Sequence, residues 1–354
     1  MKSKNSEIRY KINKATHKIC YSNNVSIQIS KDIAKIKNSP NVLFIYDNNI
    51  NSKIIKKFLL NLGKTKNKVF KLSVKGGKQN KDKDLLFKII DTLTEKKFTK
   101  NSVILSMGGG VVGDVSSFAA ALYMRGTFYF HVPTTMTSIL DSCIGGKTAI
   151  NYKNKINLLG TYYHPYRVYI SHDIIKDIPD REYRSGFAEA IKCGIIGDPT
   201  ILNILENKLE HVKKKDYAVL KILCLKVLKT KINFFLKDVR EKDKRLNLNF
   251  GHTFAHAIEM ASSINKKYQI NHGEAVSIGI LCEMKYAKTN IKFVERIIRI
   301  LKEYALPTKV NIKKKSKFIF KKKVFDYLFL DKKRISRYPR YIKIIKKRKT
   351  AISE

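Results

Sequence analysis

His252 and His256 stand four residues apart and His272 follows soon after, three of only eight histidines in the chain. In Asn249-Phe-Gly-His252-Thr-Phe-Ala-His256-Ala-Ile-Glu259 the spacing predicts two imidazoles on one helix face. Asn271-His272-Gly-Glu274 puts a third at a predicted helix start. Upstream, Gly186-Phe-Ala-Glu189-Ala-Ile-Lys192 sets a carboxylate and an amine on one face at i, i+3. A lone histidine is ordinarily a surface or hydrogen-bonded residue. This concentration at ligand spacing instead predicts a catalytic metal site of two histidines and a glutamate, its other coordination positions open.

A second chemistry-bearing stretch lies earlier. The apolar run Val103-Ile104-Leu105 breaks at Gly108, Gly109 and Gly110, with Gly113 and Asp114 just beyond. Gly108-x-Gly110-x-x-Gly113 thus follows a strand and opens a helix, where glycines allow close backbone approach and free N–H groups attract a phosphate. Such glycines also serve ordinary tight turns. A neighbouring cluster, Pro133-Thr134-Thr135 followed by Asp141-Ser-Cys-Ile-Gly-Gly-Lys147, favours a nucleotide site.

The elements that must position these residues follow from periodicity. Residues 1–40 are polar, with one alternating run, Val25-Ser-Ile-Gln-Ile, that fits an edge strand. Val42–Tyr46 reads as a buried strand, Ser52–Leu62 as a helix, Val69–Val74 as a strand closed by Gly76-Gly77-Lys78, and Leu85–Leu93 as a helix before the Val103 strand. Strand and helix alternate as in a parallel, doubly wound sheet. The glycine motif falls on a late strand, and no acidic residue follows about twenty positions on to hold a ribose, so the wiring is Rossmann-like without being that of a standard dehydrogenase. From about Ile174 the grammar turns helical, at Glu182–Ile196, Ala218–Leu236, Gly251–Ser262, Glu274–Thr289 and Val294–Tyr304. The expected class is α/β, with a Rossmann-like parallel-sheet domain over residues 1–173 and a mostly helical metal-binding domain over 174–354.

Composition bounds the partners. The 354 residues carry 72 lysines and arginines against 29 acidic residues, a net charge of +43. That invites a nucleic-acid partner, but the cations are scattered over nearly every segment and no RRM, KH or zinc-finger signature accompanies them. Drift toward lysine explains the charge better, and specific nucleic-acid binding is not expected. The five cysteines are widely spaced without a CxxC pair, fitting reduced thiols and a cytoplasmic location. No apolar run spans a membrane, and the N-terminus has no apolar signal core.

The ordered set of motifs resembles one enzyme family. Gly108-Gly-Gly-Val-Val-Gly-Asp114, Tyr123-Met-Arg125-Gly, Pro133-Thr-Thr, Asp141-Ser-Cys-Ile-Gly-Gly-Lys147, Ala188-Glu189-Ala-Ile-Lys192, Leu248-Asn-Phe-Gly-His252 and His272-Gly-Glu274 stand in the order seen in 3-dehydroquinate synthases, over roughly residues 42–350. The resemblance implies a lyase that converts 3-deoxy-D-arabino-heptulosonate 7-phosphate to 3-dehydroquinate and phosphate, in the shikimate route to aromatic amino acids. It implies NAD, a divalent metal (zinc or cobalt) and a homodimer. Transient oxidation, β-elimination of phosphate, return of the hydride and aldol closure make NAD a cofactor that is not consumed.

By position, the resemblance assigns Glu189, His252 and His272 to the metal. It assigns NAD to Asp47, the loop Gly76, Gly77, Lys78, Gln79, Asn80 and Lys81, the turn Gly110, Val111, Val112, Gly113 and Asp114, then Thr134, Thr135, Lys147, and a loop of Ile174, Ile175, Lys176 and Asp177. The substrate pocket takes Asp141, Lys147, Asn157, Lys192, Lys231, Arg245, Asn249, His256 and Lys332, with Arg125 arriving from the partner subunit. Three positions depart from the family pattern. Lys155-Ile156-Asn157 replaces a glycine-lysine-asparagine element, Lys78 replaces a glutamate, and Asp238-Val239 replaces an acidic pair. Arg340-Tyr-Ile-Lys-Ile-Ile resembles the closing strand. The rival readings are another sugar-phosphate cyclase, or a metal-dependent polyol dehydrogenase, on the same scaffold.

Overall fold

Apolar residues in the first half of the chain change period from two to about 3.6 at each polar or glycine break, and strands and helices alternate accordingly. The computed structural model describes residues 6–38, 40–153, 155–263, 270–311, 314–328, 341–346 and 349–353. It divides into two compact units, Met1–Pro179 and Asp180–Glu354. The first contains β1 (Ser6–Ile12), β2 (Ala15–Ser22), α1 (Val25–Ala34), β3 (Val42–Asp47), α2 (Ser52–Gly63), β4 (Val69–Val74), α3 (Lys83–Glu95), β5 (Val103–Gly108), α4 (Gly110–Leu122), β6 (Phe128–Pro133), β7 (Lys147–Tyr152), β8 (Lys155–Tyr162), β9 (Arg167–Ser171) and α5 (His172–Asp177).

Seven strands form one sheet in the order β1-β2-β9-β6-β5-β3-β4. Neighbours are parallel except β1 with β2, while β7 and β8 pair apart as an antiparallel hairpin. The central strands bury both faces, and every residue of β5 is buried. Val42, Phe44, Val103 and Leu105 pack toward α1 and α2, and Leu43, Ile45 and Ile104 toward α3 and α4. Each fully buried side chain of this size contributes about 1.5–3 kcal/mol, so the two-sided core fixes the strand ends rigidly. This is the expected Rossmann-like arrangement.

Two expectations need correction. Val25–Ile29 is not an edge strand but the start of α1: Val25, Ile29 and Ile33 are buried at 1%, 0% and 0% exposure, whereas Ile27 is 43% exposed. Alternation and helical spacing both place residues i and i+4 on one face, but alternation would bury Ile27 beside them, so the exposed Ile27 decides for the helix. The sheet edge belongs to β1 and β2, in a stretch whose composition reads only as polar. The Ile174–Asp177 segment is not a loop either, but lies in α5. Ile174 and Ile175 are buried and Ile174 joins the sheet core, so the units divide at Pro179 and Asp180, beyond the change of grammar at Ile174.

The second unit contains α6 (Asp180–Ser185), α7 (Phe187–Ile196), α8 (Thr200–Asn207), α9 (Leu209–Lys213), α10 (Tyr217–Phe235), α11 (His252–Ser263), α12 (His272–Tyr286), α13 (Ile291–Glu303) and α14 (Lys314–Leu328), with a hairpin of β10 (Tyr341–Lys346) and β11 (Lys349–Ser353). The helix expected over Glu182–Ile196 is split at Gly186, the residue type least favourable in a helix interior after proline. Asp216 caps α10 and Asn290 caps α13 through side-chain oxygens that accept backbone N–H groups. No helix among the described residues is long and apolar enough to cross a membrane.

Candidate active site

In the first unit, the chain runs from β3 outward to β4 and returns across β3 to β5, so a topological switch point lies between β3 and β5. Asp47 ends β3, and its carboxylate accepts the Gly76 N–H after β4 at 3.4 Å. A Cβ on Gly76 would stand 2.1 Å from Asp47 Oδ2, so the close approach requires glycine. Gly108 ends β5 and Gly110 begins α4, whose first N–H groups have no helical partners. Thr134 N–H donates to Gly108 O at 3.0 Å, which joins the turn after β6 to the glycine turn. The structure therefore brings Asp47, Gly76, Gly110–Asp114 and Thr134 to the carboxyl edge of one sheet. This edge could hold a dinucleotide phosphate by backbone N–H groups and the α4 dipole.

The hairpin of β7 and β8 closes on that edge. Lys81 Nζ donates to Asp114 Oδ2 and to Asn157 Oδ1, both at 2.5 Å. Asn157 adopts a left-handed φ of 52° and is held by its own N–H on Asn151 Oδ1 at 3.0 Å. Ile156, where the family has lysine, is 51% exposed. Lys147 begins β7 and lines one cleft with Gly113, Asp114 and Ser142. Asp141 lies in the wide turn Ser138–Ser142. Lys78, Gln79 and Asn80 form a single 3-10 turn after Gly77, whose φ is 103°. Of the Ile174–Asp177 set, Ile174 and Ile175 are buried and Lys176 and Asp177 exposed. Arg125 is exposed on a bend where Met124, Arg125 and Gly126 all have positive φ; a non-glycine residue there costs about 1–2 kcal/mol.

In the second unit, Glu189, His252 and His272 each offer one ligand atom within 4.8 Å of the others. Glu189 sits on α7 and is fully buried. Its Oε1 has no hydrogen-bond partner among the described residues and faces His252 Nε2 at 3.5 Å and His272 Nε2 at 3.3 Å. Lys192, one turn on, contacts Oε2. The opposite ring nitrogens are engaged: His252 Nδ1 with Phe250 O at 3.2 Å, and His272 Nδ1 with Glu259 Oε2 at 3.0 Å. Each ring thus carries a proton on Nδ1 and turns its Nε2 inward. Two inward Nε2 atoms and a buried carboxylate oxygen suit a divalent cation once His272 gives up its Nε2 proton.

Electrostatics agree. Burial alone raises the Glu189 carboxyl, but the Lys192 ammonium and the two histidines hold it well below the usual range. Burial, then Lys192, pushes His252 down into the neutral form a metal ligand needs. Burial lowers His272 too, but Glu259 and Glu189 outweigh it and lift the imidazole to about 10, so a metal must displace a proton there. Around this cluster Lys192, Lys231 and Arg245 are buried at 1%, 6% and 2% exposure. Their elements, α7, α10 and the turn Lys244–Asn249, pack on one another. Lys192 already faces the Glu189 carboxylate, and buried cations of this kind attract a further anionic group strongly.

Arg245 owes its position to the loop before it. Asp238 Oδ2 accepts the Arg245 N–H at 3.1 Å, and the guanidinium donates to Val239 O at 2.7 Å. The residue that replaces a family acid thus serves through its carbonyl. Asn249 Nδ2 donates to Glu241 Oε1 at 2.9 Å, and the His256 ring lies 5.5 Å from His252 and 6.4 Å from His272. Lys332 lies outside the described residues. Glu259 receives no role from the sequence, although its place on the histidine face of α11, seven residues past His252, is a usable signal.

A family model described as 3-dehydroquinate synthase N-terminal matches residues 71–185, and one described as 3-dehydroquinate synthase C-terminal matches residues 186–334. The chain belongs to the 3-dehydroquinate synthase family. A 3-dehydroquinate synthase of Thermodesulfovibrio yellowstonii is 35% identical over 87% of this chain and 82% of its own length. That of Ruminiclostridium cellulolyticum is 33% identical over 92% and 89%. Among solved structures, 2-deoxy-scyllo-inosose synthase in complex with carbaglucose-6-phosphate, NAD+ and Co2+ superposes with a TM-score of 0.85 at 23% identity, covering 98% of this chain and 94% of that one. At that identity the likeness establishes the shared fold. The family resemblance read from the ordered motifs is therefore correct.

Proposed function

We propose that the chain catalyses the 3-dehydroquinate synthase reaction, turning 3-deoxy-D-arabino-heptulosonate 7-phosphate into 3-dehydroquinate and phosphate with NAD and a divalent metal, zinc or cobalt. The observation that carries this reading is the convergence of Glu189, His252 and His272 beside the buried Lys192, in a chain of this family. Glu189, His252 and His272 would hold the metal. Asp47, the Gly76–Lys81 segment, the Gly110–Asp114 turn, Thr134, Thr135 and Lys147 would hold NAD. When bound, NAD supplies a reversible hydride acceptor and the metal a Lewis acid.

The chain's own side chains bind and neutralise. Lys192, Lys231 and Arg245 are buried, so their attraction for a carboxylate or phosphate is far less screened than in water. A departing phosphate dianion is stabilised by such preset cations, which need not reorganise as charge develops. Asn249 and His256 would supply hydrogen bonds to sugar hydroxyls. Arg125, displayed on its left-handed bend, would serve the partner's site in a homodimer. The cysteines form no disulfide, and Cys20, Cys143, Cys193 and Cys224 are buried, which accords with a cytoplasmic enzyme.

The deciding experiment supplies the heptulosonate phosphate with catalytic NAD and follows phosphate and NADH, with and without chelator. Phosphate release that continues past the NAD supplied, with no accumulating NADH and with loss on chelation, supports the reading. Stoichiometric NADH without phosphate would instead establish a dehydrogenase on this scaffold.

A further inference from the structure

We propose that Glu259 is the positioning carboxylate of the metal centre, fixing His272 as a ligand through its Nδ1 proton. The inference rests on the assignment of Glu189, His252 and His272 as metal ligands. His272 comes from the first residue of α12, whereas His252 comes from the start of α11, and the two helices pack together. Glu259 lies two turns along α11 from His252, so one helix delivers both a ligand and the anchor of the other ligand. Glu259 Oε2 stands 3.0 Å from His272 Nδ1, and the far ring nitrogen then points at Glu189 Oε1 at 3.3 Å.

The two histidines are anchored by chemically different groups. His252 Nδ1 meets the neutral Phe250 carbonyl at 3.2 Å, and His272 Nδ1 meets a carboxylate. A carboxylate on the rear nitrogen selects the Nδ1–H tautomer, orients the ring and raises the basicity of Nε2 toward a cation. The anchor matters more at His272 because its side chain is 30% exposed against 9% for His252, so packing alone does not hold the ring. The Glu259 side chain is only 11% exposed, which shields the contact from water. Glu259 also adds a second negative charge to a centre that Lys192 leaves with none to spare.

The test prepares metal-free full-length protein and measures Zn2+ affinity by competition with a chromophoric chelator, and the visible absorption of the Co2+ form. Glu259→Ala is expected to weaken Zn2+ binding about 10- to 100-fold and to change the Co2+ band. Glu259→Gln, which keeps an acceptor but loses the charge, is expected to fall between Ala and the parent. Circular dichroism of the metal-free variants checks the fold, and if Glu259→Ala unfolds, Glu259→Gln decides alone. Affinity within threefold of the parent and an unchanged Co2+ spectrum in the folded variants would overturn the proposal. His272→Ala separates this result from a failed ligand assignment. If it also binds metal like the parent, the assignment falls and the inference with it; if it loses metal while the Glu259 variants keep it, only the inference falls.

Discussion

Lys81 donates to Asn157 Oδ1 and Asp114 Oδ2 at once, both at 2.5 Å, and so ties the β7–β8 hairpin to the first turn of α4. Lys81 is 9% exposed, and Asn157 meets it from a left-handed φ of 52°. The glycine turn, the loop after β4 and the hairpin are therefore one polar unit.

That unit predicts how NAD affinity responds to change. Lys81→Met removes a charge-assisted partner worth roughly 1.5–3 kcal/mol, or about ten- to a hundredfold in affinity. Ile156→Lys restores the family ammonium beside Asn157, and we expect it to tighten NAD about tenfold. Titration of NAD against intrinsic tyrosine fluorescence in the parent and both variants measures this. An Ile156→Lys protein with parental affinity would show that the position does not touch the cofactor here.

A comparison of two lysines on α10 tests the anion pocket. Lys231 is 6% exposed and Lys229 is exposed. Lys231→Ala should lower kcat/KM by at least a hundredfold, as expected for loss of a buried charge contact of about 3 kcal/mol. Lys229→Ala should stay within twofold. Steady-state phosphate release measures both, and equal effects would remove Lys231 from the pocket.

Elements with long, single-period patterns are legible in the sequence, and composite ones are not. Val69–Val74 matches its strand residue for residue, and β3, α2 and α10 lie within a residue of their expected ends. Val25–Ile29 misleads because five residues cannot separate alternation from helical spacing. The β1–β2 hairpin escapes a reading by pattern because its buried residues, Ile8, Tyr10, Ile19 and Tyr21, lie among Arg9, Lys11, Lys14 and Lys18, which tilt local composition toward polar. In the site, Glu189, His252 and His272 are marked by residue type and spacing. Glu259 acts through another side chain, and the Asp238 carboxylate acts on backbone N–H groups, so neither carries a sequence pattern of its own.

The Glu189–Lys192 pair should dominate the stability of the metal-free second unit. Both side chains are almost fully buried, at 0% and 1%. Removing one partner leaves a buried charge uncompensated, which costs about 3–5 kcal/mol. Glu189→Gln should therefore destabilise metal-free protein by that amount, and Glu189→Gln with Lys192→Met should recover much of it. Urea denaturation of the four proteins completes the cycle. Additive losses would mean that the pair is not coupled. Zn2+ at a hundred times its dissociation constant should add about 2.7 kcal/mol to the parent and far less to Glu189→Gln.

Asp238 gives the arginine loop a defined dependence on pH. Slight burial raises its carboxyl, but the N–H groups of Lys242, Asp243 and Arg245 outweigh this and hold it below the usual range. A carboxyl depressed in the folded state stabilises that state above the unfolded value, near 3.9, and loses the contribution as pH falls through the folded value. The loop should hold its order from neutrality down to about pH 4 and loosen only below it. Hydrogen exchange at the Lys242, Asp243 and Arg245 amides reads this directly, with protection expected to drop on acidification before that of α10. Asp238→Ala should remove the protection at every pH and raise KM for the phosphorylated substrate, because Arg245 loses its backbone anchor at 3.1 Å. Zn2+ affinity should not change, since the metal ligands lie on α7, α11 and α12. A variant with parental KM and intact amide protection would show that Arg245 is held without Asp238.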